Sequence, residues 1–223
     1  MNRPIRAVIF DLDGTLLDTA PDFVLVVNKL LQQYQQPALD ADLIRAQVSN
    51  GAKALVKLAF ALNEDDPEFE IRRLQLLDLY LQHIADYTRP FEGIESLINK
   101  LDQHQIAWGI ATNKPARYTL PLMQALNMQP APFSVICPDH VSRVKPDPES
   151  LLLASQQLSC TPDQIIYVGD HLRDIECGKR AGSITIAAAY GYIDQNDCAE
   201  NWQADHLVQS ADEIWPIVQH YLQ

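Results

Sequence analysis

Two aspartates one residue apart, Asp11 and Asp13, stand at the end of the apolar run Ile5-Arg6-Ala7-Val8-Ile9-Phe10 and are followed by Gly14-Thr15. Carboxylates this close repel one another unless a cation lies between or beside them. The carboxyl end of a buried strand is where open α/β sheets bind ligands, and Gly14 lets the backbone turn sharply there. A strand-end turn in which the aspartates bond local amides is the plain alternative.

Chemistry-bearing groups also close or follow the later apolar runs. Thr112-Asn113 follows Ile106-Ala107-Trp108-Gly109-Ile110-Ala111, and offers a hydroxyl and an amide. Lys145 lies in Arg143-Val144-Lys145-Pro146-Asp147-Pro148, where the prolines are expected to restrict the backbone and hold it extended. Gly169-Asp170 closes Ile165-Ile166-Tyr167-Val168, and Asp174 follows one helical turn later, so both carboxylates can face one point. Each has a structural alternative. Thr112 can be a helix N-cap, Lys145 a solvated surface lysine, Asp170 a cap, and Asp174 a surface partner of Arg173 or Lys179. Their recurrence in strand order favours one shared site.

The elements that must position these groups follow from periodicity. The short β-branched runs, with Phe133-Ser134-Val135-Ile136 and Ser183-Ile184-Thr185-Ile186-Ala187, read as buried strands. Helix-like stretches lie at 94–103, 115–127, 148–158 and 172–181. Strands alternating with helices predict an α/β fold with a parallel sheet covered on both faces. Residues 19–88 differ: apolar residues recur at helical spacing, as in Phe23, Val26, Val27, Leu30 and Leu31, or Leu74, Leu77, Leu81 and Ile84. Pro21 and Pro67 sit where helices begin. The expected organisation is a core of residues 1–18 and 89–223, with an all-helical insertion at 19–88.

The 223 residues, 47% hydrophobic, suffice for such a two-part chain. Seventeen basic against 29 acidic residues give a net charge of −12, which disfavours nucleic acid and anionic membrane surfaces as partners. An anionic substrate therefore needs a few placed cations or a metal. Cys137, Cys160, Cys177 and Cys198 form no C-x-x-C pair. The opening Met1-Asn2-Arg3-Pro4-Ile5-Arg6 leads into a run too short for a signal peptide or a membrane span, and a cytoplasmic location is expected.

Together, Asp11-Leu12-Asp13-Gly14-Thr15-Leu16, Thr112, Lys145 and Gly169-Asp170 through Asp174 resemble the four motifs of the haloacid dehalogenase superfamily. The likeness is to its phosphatases with a helical cap inserted after the first strand, and it extends over essentially the whole chain. It implies a Rossmann-like core, residues 19–88 as the cap, and crossings at Leu17-Asp18-Thr19 and Thr88-Arg89-Pro90 acting as hinges. The chain is most similar to the phosphoglycolate phosphatase group. Within that group the stretch from Phe10 to Phe23, Cys137-Pro138-Asp139-His140-Val141 and Tyr190-Gly191-Tyr192-Ile193 are nearest to the N-acetylmuramic acid 6-phosphate phosphatases of cell-wall recycling. Phosphoglycolate and other small phosphomonoesters are the alternative substrates.

The resemblance implies Asp11 as nucleophile, forming an aspartyl-phosphate, and Asp13 as the acid that protonates the leaving oxygen and later activates water. Mg2+ would be held by Asp11, the backbone carbonyl of Asp13 and Asp170, with Asp174 in support. The Thr112 hydroxyl, Lys145 and the backbone amides of Leu12, Asp13 and Asn113 would hold the phosphoryl oxygens. A dehalogenase expels halide and needs no acid at position 13. A receiver-type phosphoacceptor places its acidic pair and phosphoacceptor on different strands. A phosphomutase shares these motifs and stays open. The expected partner is a small phosphorylated metabolite.

In the insertion, Arg45 and the polar break holding Asn50, Gly51 and Lys53 are the candidates for substrate recognition, with ordinary exposed helix charges as the alternative. Lys114 either reaches substrate or seals its loop, and Tyr190-Gly191-Tyr192 either borders the site or packs a loop. His140 and His171 match no ligand spacing and are assigned to structure. Trp108, Trp202 and Trp215 are assigned to the core.

Overall fold

The structure is a computed structural model that describes residues 4–194 and 197–222; Met1-Asn2-Arg3 of the opening segment and the final Gln223 lie outside the described residues. Strand β1 (Ala7–Phe10) is buried at every position, as a run of four apolar residues demands when both sheet faces are covered. It pairs in parallel with β4 (Ala107–Ala111) on one side and β6 (Ile165–Gly169) on the other. Between them in sequence come β2 (Leu17–Asp18), helices α1 (Ala20–Gln33), α2 (Ala41–Arg45), α3 (Gly51–Phe60) and α4 (Phe69–Gln82), β3 (Arg89–Pro90) and α5 (Ile94–Gln103). After β4 follow α6 (Ala116–Leu126), β5 (Ser134–Ile136) and α7 (Glu149–Gln157). Beyond β6 come α8 (Leu172–Ala181), β7 (Ile184–Ala188), β8 (His206–Val208) and α9 (Ile214–His220).

Among the described residues one six-stranded parallel sheet has the order β5-β4-β1-β6-β7-β8. The fold is thus Rossmann-like, with β1, β4 and β6 at the centre and their carboxyl ends along one edge. Alternation along β1 sends Val8 and Phe10 to one face and Ala7 and Ile9 to the other. On the first face lies α5, whose Ile94, Leu97, Ile98 and Leu101 are buried at the spacing of an amphipathic helix. On the second lie Leu151 and Ala154 of α7 and Cys177 of α8. Strand β8 was not expected: three residues, two of them only half-buried, carry too little pattern to register.

Helices α1–α4 form a second apolar cluster around Phe23, Val26, Val27, Leu30 and Leu31. Of the Leu74, Leu77, Leu81 and Ile84 stripe, the last three pack partly buried against this cluster, and only Leu74 of α4 is corrected. Leu74 is exposed, and the buried residues are Phe69, Leu76 and Tyr80. Leucines crowd this helix so densely that periodicity alone permits more than one phase. Tyr80 decides it by stacking on Phe23 with ring centroids 4.3 Å apart. The two crossings meet as an antiparallel ribbon, Leu17 opposite Pro90 and Asp18 opposite Arg89. The buried Asp22 carboxylate locks them by accepting from the Ala85 and Tyr87 amides and the Thr88 hydroxyl at 3.0, 2.7 and 2.5 Å.

Candidate active site

Because β1, β4 and β6 are parallel neighbours, their carboxyl ends bring Asp11, Thr112 and Asp170 to the same edge of the sheet. Asp174 joins them from the first turn of α8. One oxygen from each of Asp11, Asp170 and Asp174 lies within 4.8 Å of the others, and all three residues are buried. Three carboxylates out of water at this separation need positive charge close by.

Lys145 supplies part of it. Its side chain is 1% exposed, and Nζ lies 2.8 Å from Asp11 Oδ1 and 2.7 Å from Asp174 Oδ1. The ammonium also donates to the Ala111 carbonyl at 3.0 Å and the Tyr167 hydroxyl at 2.9 Å. Asn113 grips the Lys145 backbone from both sides, accepting from its N–H at 3.1 Å and donating to its carbonyl at 3.2 Å. The expectation of an extended loop is corrected. The Asp147 N–H donates to the Val144 carbonyl at 3.0 Å, so Lys145 and Pro146 sit inside a tight turn. That turn is what lets a lysine from a surface loop point inward.

The charges follow from these contacts. Burial alone would raise the Asp11 carboxyl, but Lys145, through charge and hydrogen bond, and more weakly Arg173, hold it below its ordinary value. Burial would likewise strip the Lys145 proton, and Asp11 and Asp174 keep it on. Asp170 has no such partner: burial, then Asp11 and Asp174, push it up to about 7. Asp174 is also raised, burial outweighing Lys145.

The residues fit a hard divalent cation. Asp174 Oδ2 is a buried carboxylate oxygen without a hydrogen-bond partner, and a carboxylate held near neutral pH beside two others signals an unmet need for positive charge. All donors are oxygens, the set that Mg2+ prefers. Asp170 is fixed by the Thr15 hydroxyl at 3.0 Å, the Tyr192 N–H at 2.9 Å and the Ser49 hydroxyl at 3.2 Å. Gly14 completes the cradle: at φ +85° a Cβ there would stand 2.1 Å from Asp170 Oδ2.

The Asp13 carboxylate faces elsewhere. It pairs with Lys114 Nζ at 2.8 Å and accepts from the Thr19 hydroxyl at 2.6 Å, leaving its side chain outside the acidic trio. Lys114 is buried beside Phe23 and Tyr80, 4.5 Å from the latter's ring centroid. Thr112 is buried, and its oxygen accepts from the Lys114 N–H at 3.1 Å rather than capping α6.

A cleft of about 600 Å3 opens above Asp11, Asp13, Thr112, Asn113 and Arg173, with Asn50, Gly51 and Lys53 on its opposite wall. Lys53 pairs with Glu64 at 2.6 Å. Arg45 is not among the lining residues; its guanidinium pairs with Asp18 at 2.8 Å and covers the Tyr192 ring. It therefore braces the ribbon, because Asp18 also accepts from the Tyr192 hydroxyl at 2.7 Å.

Sequence reasoning missed the role of Tyr167 and Arg173, and of Ser49 it foresaw only a place in the polar break 49–53. Tyr167 reads as one more apolar strand residue, yet its hydroxyl supports Lys145; a polar tip inside an all-buried run was the available signal. Ser49 and Arg173 link the helical insertion to the core: Ser49 bonds Asp170, and Arg173 donates to the Ser49 carbonyl. Arg173 enters the sequence reading only in the alternative that makes it a surface partner of Asp174, and Lys145 takes that place instead. His171 caps α8 by accepting from the Arg173 N–H at 3.2 Å. His140 accepts from the Cys137 N–H at 3.1 Å.

Comparison with known proteins agrees with this architecture. The haloacid dehalogenase-like hydrolase pattern matches residues 8–188. An N-acetylmuramic acid 6-phosphate phosphatase of Pseudomonas aeruginosa is 43% identical over 98% of this chain and 96% of its own. A phosphoglycolate phosphatase of Xanthomonas campestris pv. campestris is 36% identical over 94% of this chain and 95% of its own. The crystal structure of a predicted phosphoglycolate phosphatase from Haemophilus somnus superposes with a TM-score of 0.84, 24% identity, and 96% and 98% coverage. Among the described residues no helix is long and apolar enough to cross a membrane.

Proposed function

The chain belongs to the haloacid dehalogenase-like hydrolases and is a phosphatase, and from that premise we propose that it hydrolyses N-acetylmuramic acid 6-phosphate through an aspartyl-phosphate on Asp11. The observation that carries the mechanism is the buried trio Asp11, Asp170 and Asp174 with Lys145 at 2.8 Å from the first of them. The substrate assignment rests on the relative of that name at 43% identity and on a cleft of about 600 Å3, roomy for an amino sugar.

Asp11 is suited to attack because Lys145 keeps it ionised in a buried site. Asp13 holds a carboxyl outside the trio, where it can give a proton to the leaving oxygen and take one from water. Its partner Lys114 orients it, and Thr19 ties it to the first crossing. Lys145, Thr112 and the backbone amides of Leu12, Asp13 and Asn113 are the donors for the phosphoryl oxygens. Mg2+ would be held by Asp11, Asp170 and the Asp13 carbonyl, with Asp174 beside them, and when bound it offsets the repulsion between a carboxylate and a phosphate dianion. Residues 19–88 act as the cap that excludes water, with the 17–19 and 88–90 crossings as hinges. Arg45 acts at that hinge through Asp18, while Asn50, Gly51 and Lys53 line the substrate's side of the cleft.

The test compares kcat/KM for N-acetylmuramic acid 6-phosphate, 2-phosphoglycolate, a glucose phosphate and 4-nitrophenyl phosphate, with Mg2+ and with chelator. The amino-sugar phosphate is expected to lead and chelation to remove turnover. Preference for phosphoglycolate by tenfold or more would replace the substrate. Sugar-phosphate isomerisation without phosphate release would make the chain a phosphomutase.

A further inference from the structure

The cleft is lined by five cations, Lys53, Arg73, Lys114, Arg117 and Arg173, and most are already engaged. Lys114 is buried against Asp13, and Arg173 is bound to the Ser49 carbonyl. Lys53 lies 2.6 Å from Glu64, and Arg73 holds Glu70 through two bonds of 2.7 and 2.5 Å. Arg117 differs. Its ion pair is a 3.6 Å approach to Asp78, with both side chains 64% exposed, and such pairs contribute next to nothing. Its other neighbour is the Tyr118 ring, whose centroid lies 5.8 Å from Cζ, and an exposed guanidinium lining the cleft can receive a carboxylate.

Its position gives that receptor a meaning. Arg117 stands in the first turn of α6, just after the Thr112–Pro115 loop that closes β4. Facing the cleft from α4 are Arg73, Leu77 and Tyr80, one stripe at spacings of four and three residues. Tyr80 marks the inner end of this stripe, because Lys114, paired with Asp13, lies 4.5 Å from its ring. Seven residues away, Arg73 lies about 10 Å along the helix. It is within electrostatic reach of Tyr118, the residue after Arg117. Tyr118 and Tyr80, with ring centroids 6.1 Å apart, form an aromatic wall between the inner carboxylates and the two arginines. The negative residue lining this region, Asp139, is occupied in accepting from the Ala116 N–H at 2.8 Å.

We propose that Arg117 forms a carboxylate subsite at the outer end of the cleft, which selects a phosphorylated sugar acid. The phosphate sits at Asp11, the sugar spans the cleft, and an acid on the far side of the ring meets Arg117. This deepens the amino-sugar reading and rests on it. A two-carbon phosphorylated acid anchored at Asp11 is too short to reach. N-acetylmuramic acid 6-phosphate carries such an acid on its lactyl ether, and N-acetylglucosamine 6-phosphate is the same sugar without it.

The experiment measures kcat/KM for these two sugars with the wild-type chain, Arg117→Gln and Arg117→Lys. The wild-type chain is expected to favour the acid. Arg117→Gln is expected to cut the ratio between the two substrates by about tenfold to a hundredfold, the range for losing a charge-assisted bond. Arg117→Lys is expected to restore part of it, since the charge returns without the fork. A wild-type chain that hydrolyses the acid well, with an unchanged ratio in Arg117→Gln, overturns the subsite alone. A wild-type chain that hydrolyses neither sugar overturns the amino-sugar reading and the subsite with it. Because Arg117 is exposed, loss of fold does not obscure the result, and melting temperature checks it.

Discussion

Replacing Lys145 with methionine keeps the length and apolar stem of the side chain and removes one charge. The structure specifies what that charge does. Each contact of about 2.8 Å, to Asp11 and to Asp174, has a gross attraction of about 6 kcal/mol at an effective dielectric of 20. Desolvation of the ammonium cancels much of this. Breaking one side of a buried ion pair nevertheless costs about 3–5 kcal/mol, because the remaining charges stay buried. In a chain of this size each kcal/mol moves the melting temperature by about 2–4 °C, so metal-free Lys145→Met should melt roughly 6–20 °C below wild type. Protonation of the trio relieves part of the cost, so the gap should be wider at pH 8 than at pH 6. Mg2+ should raise the variant's melting temperature more than the wild type's, since it replaces missing positive charge. Phosphate release should fall by at least about a hundredfold, the effect of removing one positioned donor. The assay is thermal unfolding with chelator and with Mg2+, beside a phosphate-release measurement. A metal-free melting temperature within 2 °C of wild type (~1 kcal/mol or less) would refute the electrostatic role.

Three further outcomes are expected. Asp13→Asn should lower turnover of alkyl phosphates by about a hundredfold or more and of 4-nitrophenyl phosphate much less, because a nitrophenolate leaves without a proton; equal losses on both would remove Asp13 from the acid's role. Gly14→Ala adds a Cβ 2.1 Å from a fixed Asp170 oxygen at φ +85°, so strain and crowding should cost roughly 3 kcal/mol and weaken Mg2+ binding, whereas wild-type melting and affinity would contradict the cradle. Asp170 is held up to about 7, so it carries a proton at pH 6 that the cation must displace, and Mg2+ affinity should fall by up to about tenfold per pH unit below 7. Metal-free stability runs the other way: ionising a raised carboxylate is a cost absent below the unfolded value near 4 and complete above 7. His171, lowered to about 4 chiefly by burial, acts oppositely in that window. The melting-temperature gain on adding Mg2+ separates the raised carboxylates Asp170 and Asp174 from His171, and it should grow from pH 5 to pH 8; a flat gain refutes the linkage.

The fold and the participants in the site differ in how far sequence could reach them. The run Ala7–Phe10 is buried throughout and had to be a central strand, and the alternation of later runs with helices required a parallel sheet. Parallel strands place all their carboxyl ends on one edge, so Asp11, Thr112 and Asp170 were bound to meet once strand order was known. Where periodicity was ambiguous, as in the leucine-crowded α4, the reading placed Leu74 on the buried face although it is exposed. Where an element was three residues long and mostly half-buried, as in β8, there was no pattern to read.

What the chain determined alone was which residue types end which strands, and therefore which chemistry could be assembled. Only the folded structure decided the pairings: Lys145 with Asp174, Asp13 with Lys114, Arg45 with Asp18, Arg173 with Ser49, and Arg117 with a cleft and little else. Hydrophobic periodicity states how deeply a residue is buried and on which face. It is silent on which distant charge lies within 3 Å, because that depends on how segments some thirty to more than a hundred residues apart pack together.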